Sequence, residues 1–344
     1  MQDAEVRNEK KEVSLPAPEI SGAGGSDRWA PRLTLGDRAL EFGIYGALVA
    51  ICIYFSIASP YFLTVSNWLN IGQAEAEIGI LAAGLTVCMI AGQLDLSIGA
   101  VIALVAVTTA QLSAHGWPMA ACMTVAFLAA VGVGVLNSVL VVNLGINSLI
   151  ATLATGIMVT GVAYVICSGQ VLVFPHPSQL SFIDHRPLGI PIPVWVLAVL
   201  YLLGWVVLQH TKYGWHIYAT GGNSSATLRA GVNTPWIYRS TLIITAACAG
   251  IAGLVTTASN AAGDPTFGAT DVYTVLTAVL LGGIGLTGGA GKIQRTLIGV
   301  LIIGVLLNGQ ILLQIQAYYQ QIITGGVFVV AVVLDAVRMR RLSR

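Results

Sequence analysis

The chain has 344 residues, of which 56% are hydrophobic and 9% charged, with a formal net charge of +1 and a mean hydropathy of +0.82. A soluble domain has roughly a quarter of its residues charged, so this composition excludes a soluble fold, and the near-zero charge offers no basic footprint for nucleic acid. The class that remains is an all-α integral membrane protein, built from repeated apolar runs near bilayer length.

Residues 1–38 are a different material, with EKKEV, PAPE and SGAGGSD elements and no apolar run. They read as a flexible polar tail, neither a signal peptide nor a packed domain. Ten apolar segments follow, predicted as transmembrane helices over 39–58, 71–91, 96–112, 118–144, 148–167, 191–208, 238–258, 272–285, 296–313 and 317–334. Together they define a transmembrane domain over 39–337, followed by a short basic C-terminus, 338–344. The second segment is strongly apolar only from Ile78 and is preceded by Glu75 and Glu77; the eighth is short and ends in glycines. The five cysteines all lie inside apolar runs, without C-x-x-C spacing, and read as small hydrophobes.

Between the second and third segments stands GQLDLSIG, Gly92 to Gly99. Asp95 and Ser97 suit an N-cap that opens the third helix, and they equally suit a gate or a solute contact. Amide and hydroxyl groups recur inside the later segments: Asn137, Thr152, Thr155, Asn260 and Asn308 are the main examples, with Asn147 just before the fifth. Polar groups at membrane depth need partners, so these residues either bond helices together or line a wet path. As a set they suit a neutral hydroxylated solute better than an ion. Most of the 39 glycines read as helix-packing positions, Gly132-x-Gly134, Gly250-x-x-Gly253 and Gly282-Gly283 among them.

The longest polar interruption within the membrane domain is YGWHIYATGGNSSATLRAGVNTPWIYR, Tyr213 to Arg239. Its Ala226, Leu228, Ala230 and Val232 allow a short helix after Gly221-Gly222, with Asn223 or Ser224 as its cap. Such a segment is either an interfacial connection or a docking knob for a cytoplasmic partner. Farther on, Gly288 to Lys292 resembles the end of a phosphate-binding loop, but Leu286 stands where the first glycine of a Walker A must be and Ile293 where Ser or Thr would hold magnesium. The G-x-G-x-x-G formed by Gly283, Gly285 and Gly288 follows a membrane-length apolar run rather than a strand, which is the wrong context for a dinucleotide. The five histidines lack metal spacing and no nucleophile elbow is present. No catalytic residue, metal or cofactor is therefore predicted, and any energy source must lie in another chain. A partial echo links Gly92 to Ala100 with Gly282 to Ala290, as a duplicated unit would.

Basic residues set the orientation. With the N-terminus in the cytoplasm, every Lys and Arg except Arg186 falls on the cytoplasmic side, in the tail, the 212–239 region, the loop at Lys292 and Arg295, or the C-terminus. Adding or losing one span would spoil that asymmetry, so both termini are expected in the cytoplasm.

The pattern Y-G-x-x-I-Y-A-x-G-G-N-x-x-A-x-x-x-A-G-V at Tyr213 to Val232 resembles the coupling loop of permease subunits of ribose-type ABC sugar importers. The resemblance runs from about Ile71 to Asp335 and includes GQLDLSIG, VLNSVLV at Val135, IATLATG at Ile150 and LGGIGLTGGAGK at Leu281. The chain departs from that pattern at Trp215, at Asn147-Ser148 and at Arg295. The resemblance implies two cytoplasmic ABC ATPase subunits, a periplasmic or extracellular sugar-binding protein and a second permease copy or a homologous permease as partners, in a bacterial inner membrane. It also implies that residues 213–233 dock the ATPase, with Tyr213, Gly214 and Asn223 in the motif, Ala226 and Leu228 entering the partner's cleft, Arg229 fixing orientation, and Gly221, Gly222 and Gly231 supplying bends. A self-contained secondary transporter and a non-transporting scaffold are the competing classes; the first would normally need an intramembrane acidic or His relay.

Overall fold

The computed structural model describes the backbone of residues 35–342 and the side chains of residues 43–333. The tail reading up to residue 34, and the basic side chains of the C-terminus, lie outside the described residues. Everything below belongs to the unit that begins at Phe42, apart from the first turns of one helix.

Each of the ten apolar segments is helical. Helix α1 is Leu35–Ala58; α2, Val65–Ala74, and α3, Ala76–Ile90, form the second segment; α4 is Ile98–Ala114. Helix α5, Met119–Ser138, runs on through a π turn, Val139–Asn143, and α6 is Ser148–Ile166. A two-residue strand β1, Leu172–Val173, and two short 3₁₀ turns lead to α7, Ile192–His210. The polar interruption folds as α8, Lys212–Gly222, and α9, Ser224–Arg229. Helix α10, Thr234–Asn260, is followed by β2, Ala262–Gly263, then by α11, Asp271–Leu281, α12, Ile293–Leu312, and α13, Ala317–Leu342.

Five of these helices have the length and hydropathy to cross a membrane, α5 with its π turn, α6, α7, α10 and α12; α2 and α3, bent by 49°, supply a sixth if taken as one broken span. Segments Gly43–Ala58, Ile98–Ala114, Asp271–Leu281 and Ala317–Val333 are shorter apolar helices. The second segment differs from expectation in starting at Val65, where the Thr64 hydroxyl caps the first turn by accepting from Asn67 N–H. Glu75 and Glu77 consequently lie at the bend and inside the helix, not ahead of it.

Helix α3 is the axis of the bundle. Every residue of it except Glu77 is buried, and α10 packs along it as well as along α4 and α5. Small residues bring these helices close: a Cβ on Gly134 would meet the Ala246 methyl at 2.7 Å, one on Gly250 the Ala130 methyl at 2.9 Å, and one on Gly253 the Val105 Cβ at 2.9 Å. Gly132, by contrast, faces open space. Hydroxyl bonds add to the packing, with Thr245 donating to the Gly84 carbonyl at 3.1 Å and Thr86 bonded to Thr296 at 2.8 Å. Outward faces are apolar: Ile150, Ile157 and Val165 on α6 and Leu202 and Leu203 on α7 are exposed. An apolar surface of that extent suits lipid, not water.

At one end of the bundle the long connection between α6 and α7 folds back, and β1 pairs antiparallel with β2, Leu172 opposite Gly263. Phe174, Leu180 and Ile183 of this connection pack with Ala110 and Ala258, which fixes Arg186 close to the end of α10.

Candidate functional site

Three groups of polar residues stand out. The first is the α8–α9 pair. The Thr211 hydroxyl accepts from Gly214 N–H at 3.1 Å and starts α8 directly after α7. The turn is so tight that a Cβ on Gly214 would collide with the Leu208 carbonyl. Asn223 caps α9, its Oδ1 accepting from Ala226 N–H at 2.9 Å, and the Thr227 hydroxyl ties α9 back to α8 through the Ala219 carbonyl at 2.8 Å. Gly231, at φ +89°, makes the left-handed turn toward α10. Tyr213 is half-buried; it donates to Ser240 Oγ at 2.7 Å and stacks edge-on against Trp236, and burial pushes its phenol above the ordinary range. Ala226, Leu228 and Arg229 are all exposed. The pair is thus a rigid, capped knob whose α9 end presents short apolar groups and the Arg229 cation.

The second group gathers around GQLDLSIG. Asp95 is fully buried, and its Oδ1 accepts from Ser97 N–H at 2.9 Å and from Ser97 Oγ at 2.6 Å. The N-cap position of α4 goes to Ser97, with Asp95 closing the turn just before it. Asn137 of α5 donates from Nδ2 to Ser97 Oγ at 2.9 Å. Two hydroxyls one helical turn apart on α6 zip the extended stretch in place: Ser148 accepts from Leu94 N–H at 3.1 Å and Thr152 from Leu96 N–H at 3.0 Å. Thr155 Oγ1, Asn137 Oδ1 and Asp95 Oδ2 remain buried without a hydrogen-bond partner among the described residues. Asn147 caps α6 through Leu149 N–H at 3.0 Å. With Gln93 and Leu286 it lines a cavity of about 210 Å³.

The third group lies at the C-terminal end of α10, the end away from the knob. Here a cavity of about 480 Å³ is walled by Asn70, Gln73 and Glu77 from α2 and α3, by Arg186, and by Thr256 and Asn260 from α10. Glu77 lies beside the Thr256 hydroxyl and the Asp271 carboxyl. Asn260 donates to the Thr256 carbonyl at 2.8 Å.

The structure therefore brings Asp95, Ser97, Asn137, Asn147, Thr152 and Thr155 together and leaves two sequence-derived residues elsewhere. Asn260 belongs to the far cavity. Asn308 forms a reciprocal amide pair with Asn67, 3.0 Å in both directions, an interhelical bond of the kind membrane helices use as glue. Sequence reasoning missed Asn70, Gln73 and Glu77 as a set: Asn70 and Gln73 share one face of α2, and Glu77 of α3 joins them across the 49° bend.

A helical bundle with apolar outer faces and two polar-lined cavities defines a multi-pass membrane protein. The family described as "Branched-chain amino acid transport system / permease component" matches residues 69–332, and the chain belongs to it. The ribose import permease protein RbsC of Escherichia coli K12 is 34% identical over 304 residues, covering 84% of this chain and 91% of that protein. The D-allose transport system permease protein AlsC of the same strain is 33% identical, over 86% of this chain and 91% of that one. The L-arabinose transport system permease protein AraH is 30% identical, with the same coverage of each. No solved structure matches the chain.

Proposed function

We propose that this chain is the membrane-spanning permease subunit of an ATP-driven importer that carries a neutral sugar or sugar-like polyol inward across a bacterial inner membrane. The observation that carries the reading is the α8–α9 knob, capped at Asn223 and exposing Ala226, Leu228 and Arg229, in a chain without a Walker A sequence. Hydrolysis then belongs to two separate ATPase subunits docked on two such knobs, so two permease chains work side by side. A soluble binding protein delivers solute at the opposite face. The chain crosses the bilayer ten times with both termini in the cytoplasm, the shorter helices among the ten being accommodated where neighbouring helices cover them.

The sugar assignment rests on similarity to ribose, allose and arabinose permeases and on the cavity at the end of α10. Its amides, hydroxyls, guanidinium and carboxylate match a polyol's alternating donors and acceptors. A branched-chain amino acid, the cargo in the family's description, would need an apolar pocket for its side chain, and Val255 and Ala74 alone supply apolar wall there. The path continues from this cavity toward Asn137, Thr152, Thr155 and Asn147.

Two measurements test the proposal. Uptake into proteoliposomes requires ATP, the ATPase and the binding protein together; steady uptake by the chain alone on an ion gradient would convert it to a secondary transporter. Single cysteines at Arg229, Lys292 and Arg186 react with a membrane-impermeant reagent in intact cells only at 186. Equal labelling at all three sites would sink the ten-span orientation.

A further inference from the structure

Two glycine-rich motifs, GQLDLSIG and LGGIGLTGGAGK, have no role in docking or in the outer cavity, yet the fold places them against each other and against the end of α8. A Cβ on Gly221 would collide with the Ile90 carbonyl and come within 2.5 Å of Gly289 N. One on Gly288 would come to 2.6 Å from Gly92 Cα, and one on Gly289 to 2.6 Å from Gly222 Cα. Gly92, Gly288 and Gly289 hold φ of +82°, +77° and +74°, a region that L side chains rarely adopt. Three backbones thus touch with no side chain between them. Two hydrogen bonds lock the contact: Gly289 N–H donates to the Ile90 carbonyl at 2.8 Å, and the Tyr218 hydroxyl, one turn before Gly221 on α8, donates to the Gly291 carbonyl at 2.8 Å. Burial pushes the Tyr218 phenol above its ordinary range, so it stays a donor.

Direct backbone contact has no rotamer slack, since a side chain can swing to absorb a displacement and a peptide group cannot. Whatever moves the C-terminal end of α8 therefore moves Ile90, the last residue of α3, and the loop that joins α11 to α12. Helix α3 is buried on all sides except at Glu77 and is about 22 Å long for its 15 residues. It ends at the 49° bend beside the polar cavity. We propose that Gly92, Gly221, Gly288 and Gly289, with Tyr218, form the joint through which the α8–α9 knob drives α3, and through α3 the outer cavity. These are positioning residues, and Gly221, Gly288, Gly289 and Tyr218 line neither cavity. The proposal rests on the reading of α8–α9 as the docking knob, and it assigns that reading a specific mechanical output.

The test uses the full transporter, reconstituted with its ATPase and binding protein, and reads ATPase association, ATP hydrolysis and solute moved per ATP. Gly221→Ala lowers solute uptake at least tenfold while the ATPase stays bound and hydrolyses ATP. Gly132→Ala, whose Cβ meets nothing within 4 Å, leaves all three readouts unchanged. Tyr218→Phe, which removes one hydroxyl and no volume from the backbone contact, lowers solute per ATP two- to fivefold with docking intact. Should Gly221→Ala fail to accumulate in the membrane, Tyr218→Phe decides alone: wild-type solute per ATP in that variant overturns the joint. Loss of ATPase association in Gly221→Ala or Tyr218→Phe overturns it too, because the contact would then merely shape the docking surface. Failure of the docking reading itself shows separately, as a Leu228→Asp transporter that still retains its ATPase.

Discussion

On the proposed docking role of α8–α9, Leu228→Asp is expected to abolish uptake and release the ATPase, while the permease itself still inserts and folds. The side chain is 54% exposed on a helix of six residues, Ser224–Arg229, so replacing it costs the bundle no buried contact. An exposed leucine alone would mean little, since apolar atoms cover much of any surface. What gives Leu228 weight is its mounting. Asn223 holds the first turn of α9 and Thr227 bonds the helix to α8, so a six-residue helix, too short to persist by propensity, is fixed in one pose. Preorganisation of this kind reduces the ordering entropy a partner must overcome. Trp215 and Trp236, both exposed, are residues that membrane–water interfaces favour, which sets the knob at the boundary where a soluble ATPase can reach it. Truncating a central interface anchor costs about 2 kcal/mol or more, roughly a thirtyfold loss of affinity, and a buried carboxylate in its place costs further. Co-purification of the ATPase with tagged permease, beside uptake in the same cells, measures both effects. Normal association and normal uptake would leave α8–α9 a mere connection between α7 and α10.

Helices were the easiest feature to read, because hydrocarbon forces each backbone polar group to bond inside its own segment, and only long apolar runs then persist. Local signals were equally legible: the Asn223 cap needs nothing beyond four residues of context. Features that depend on tertiary contact were not. The start of α2 at Val65 is set by the Thr64 cap in a stretch with too little apolar periodicity to mark a span, and this displaced Glu75 and Glu77 from a span's end to its interior. Asn308 reads as a path residue only until its partner is known, and that partner, Asn67, is 241 positions away. The glycine motifs carried the opposite difficulty. Their abundance suggests packing at most of them, but Gly132 faces open space whereas Gly221 admits no side chain at all, a distinction that no spacing rule contains.

Asp95 separates into a structural and a transport role by two substitutions. Asp95→Ala removes the acceptor for Ser97 N–H and Ser97 Oγ in a site fully shielded from water. Each buried donor left unpaired costs about 1–3 kcal/mol, so the variant loses several degrees of unfolding temperature in detergent and accumulates poorly. Asp95→Asn keeps a carbonyl oxygen where Oδ1 stands. Both accepted bonds survive, and the new amide occupies the position of Oδ2, which has no hydrogen-bond partner among the described residues. Its unfolding temperature therefore falls less than that of Asp95→Ala, because both accepted bonds survive although the new N–H donors gain no partner, and uptake stays within twofold if the carboxylate serves only to hold the turn before α4. Full stability with lost uptake in Asp95→Asn would instead make the carboxylate part of the solute path. The neighbouring pair supplies an internal control. Ser97→Ala strands Asn137 Nδ2, whose acceptor is Ser97 Oγ, whereas Ser97→Ala combined with Asn137→Leu removes donor and acceptor together. The double variant is accordingly less destabilised than the sum of the single ones, because matched removal of a buried pair costs less than orphaning either member.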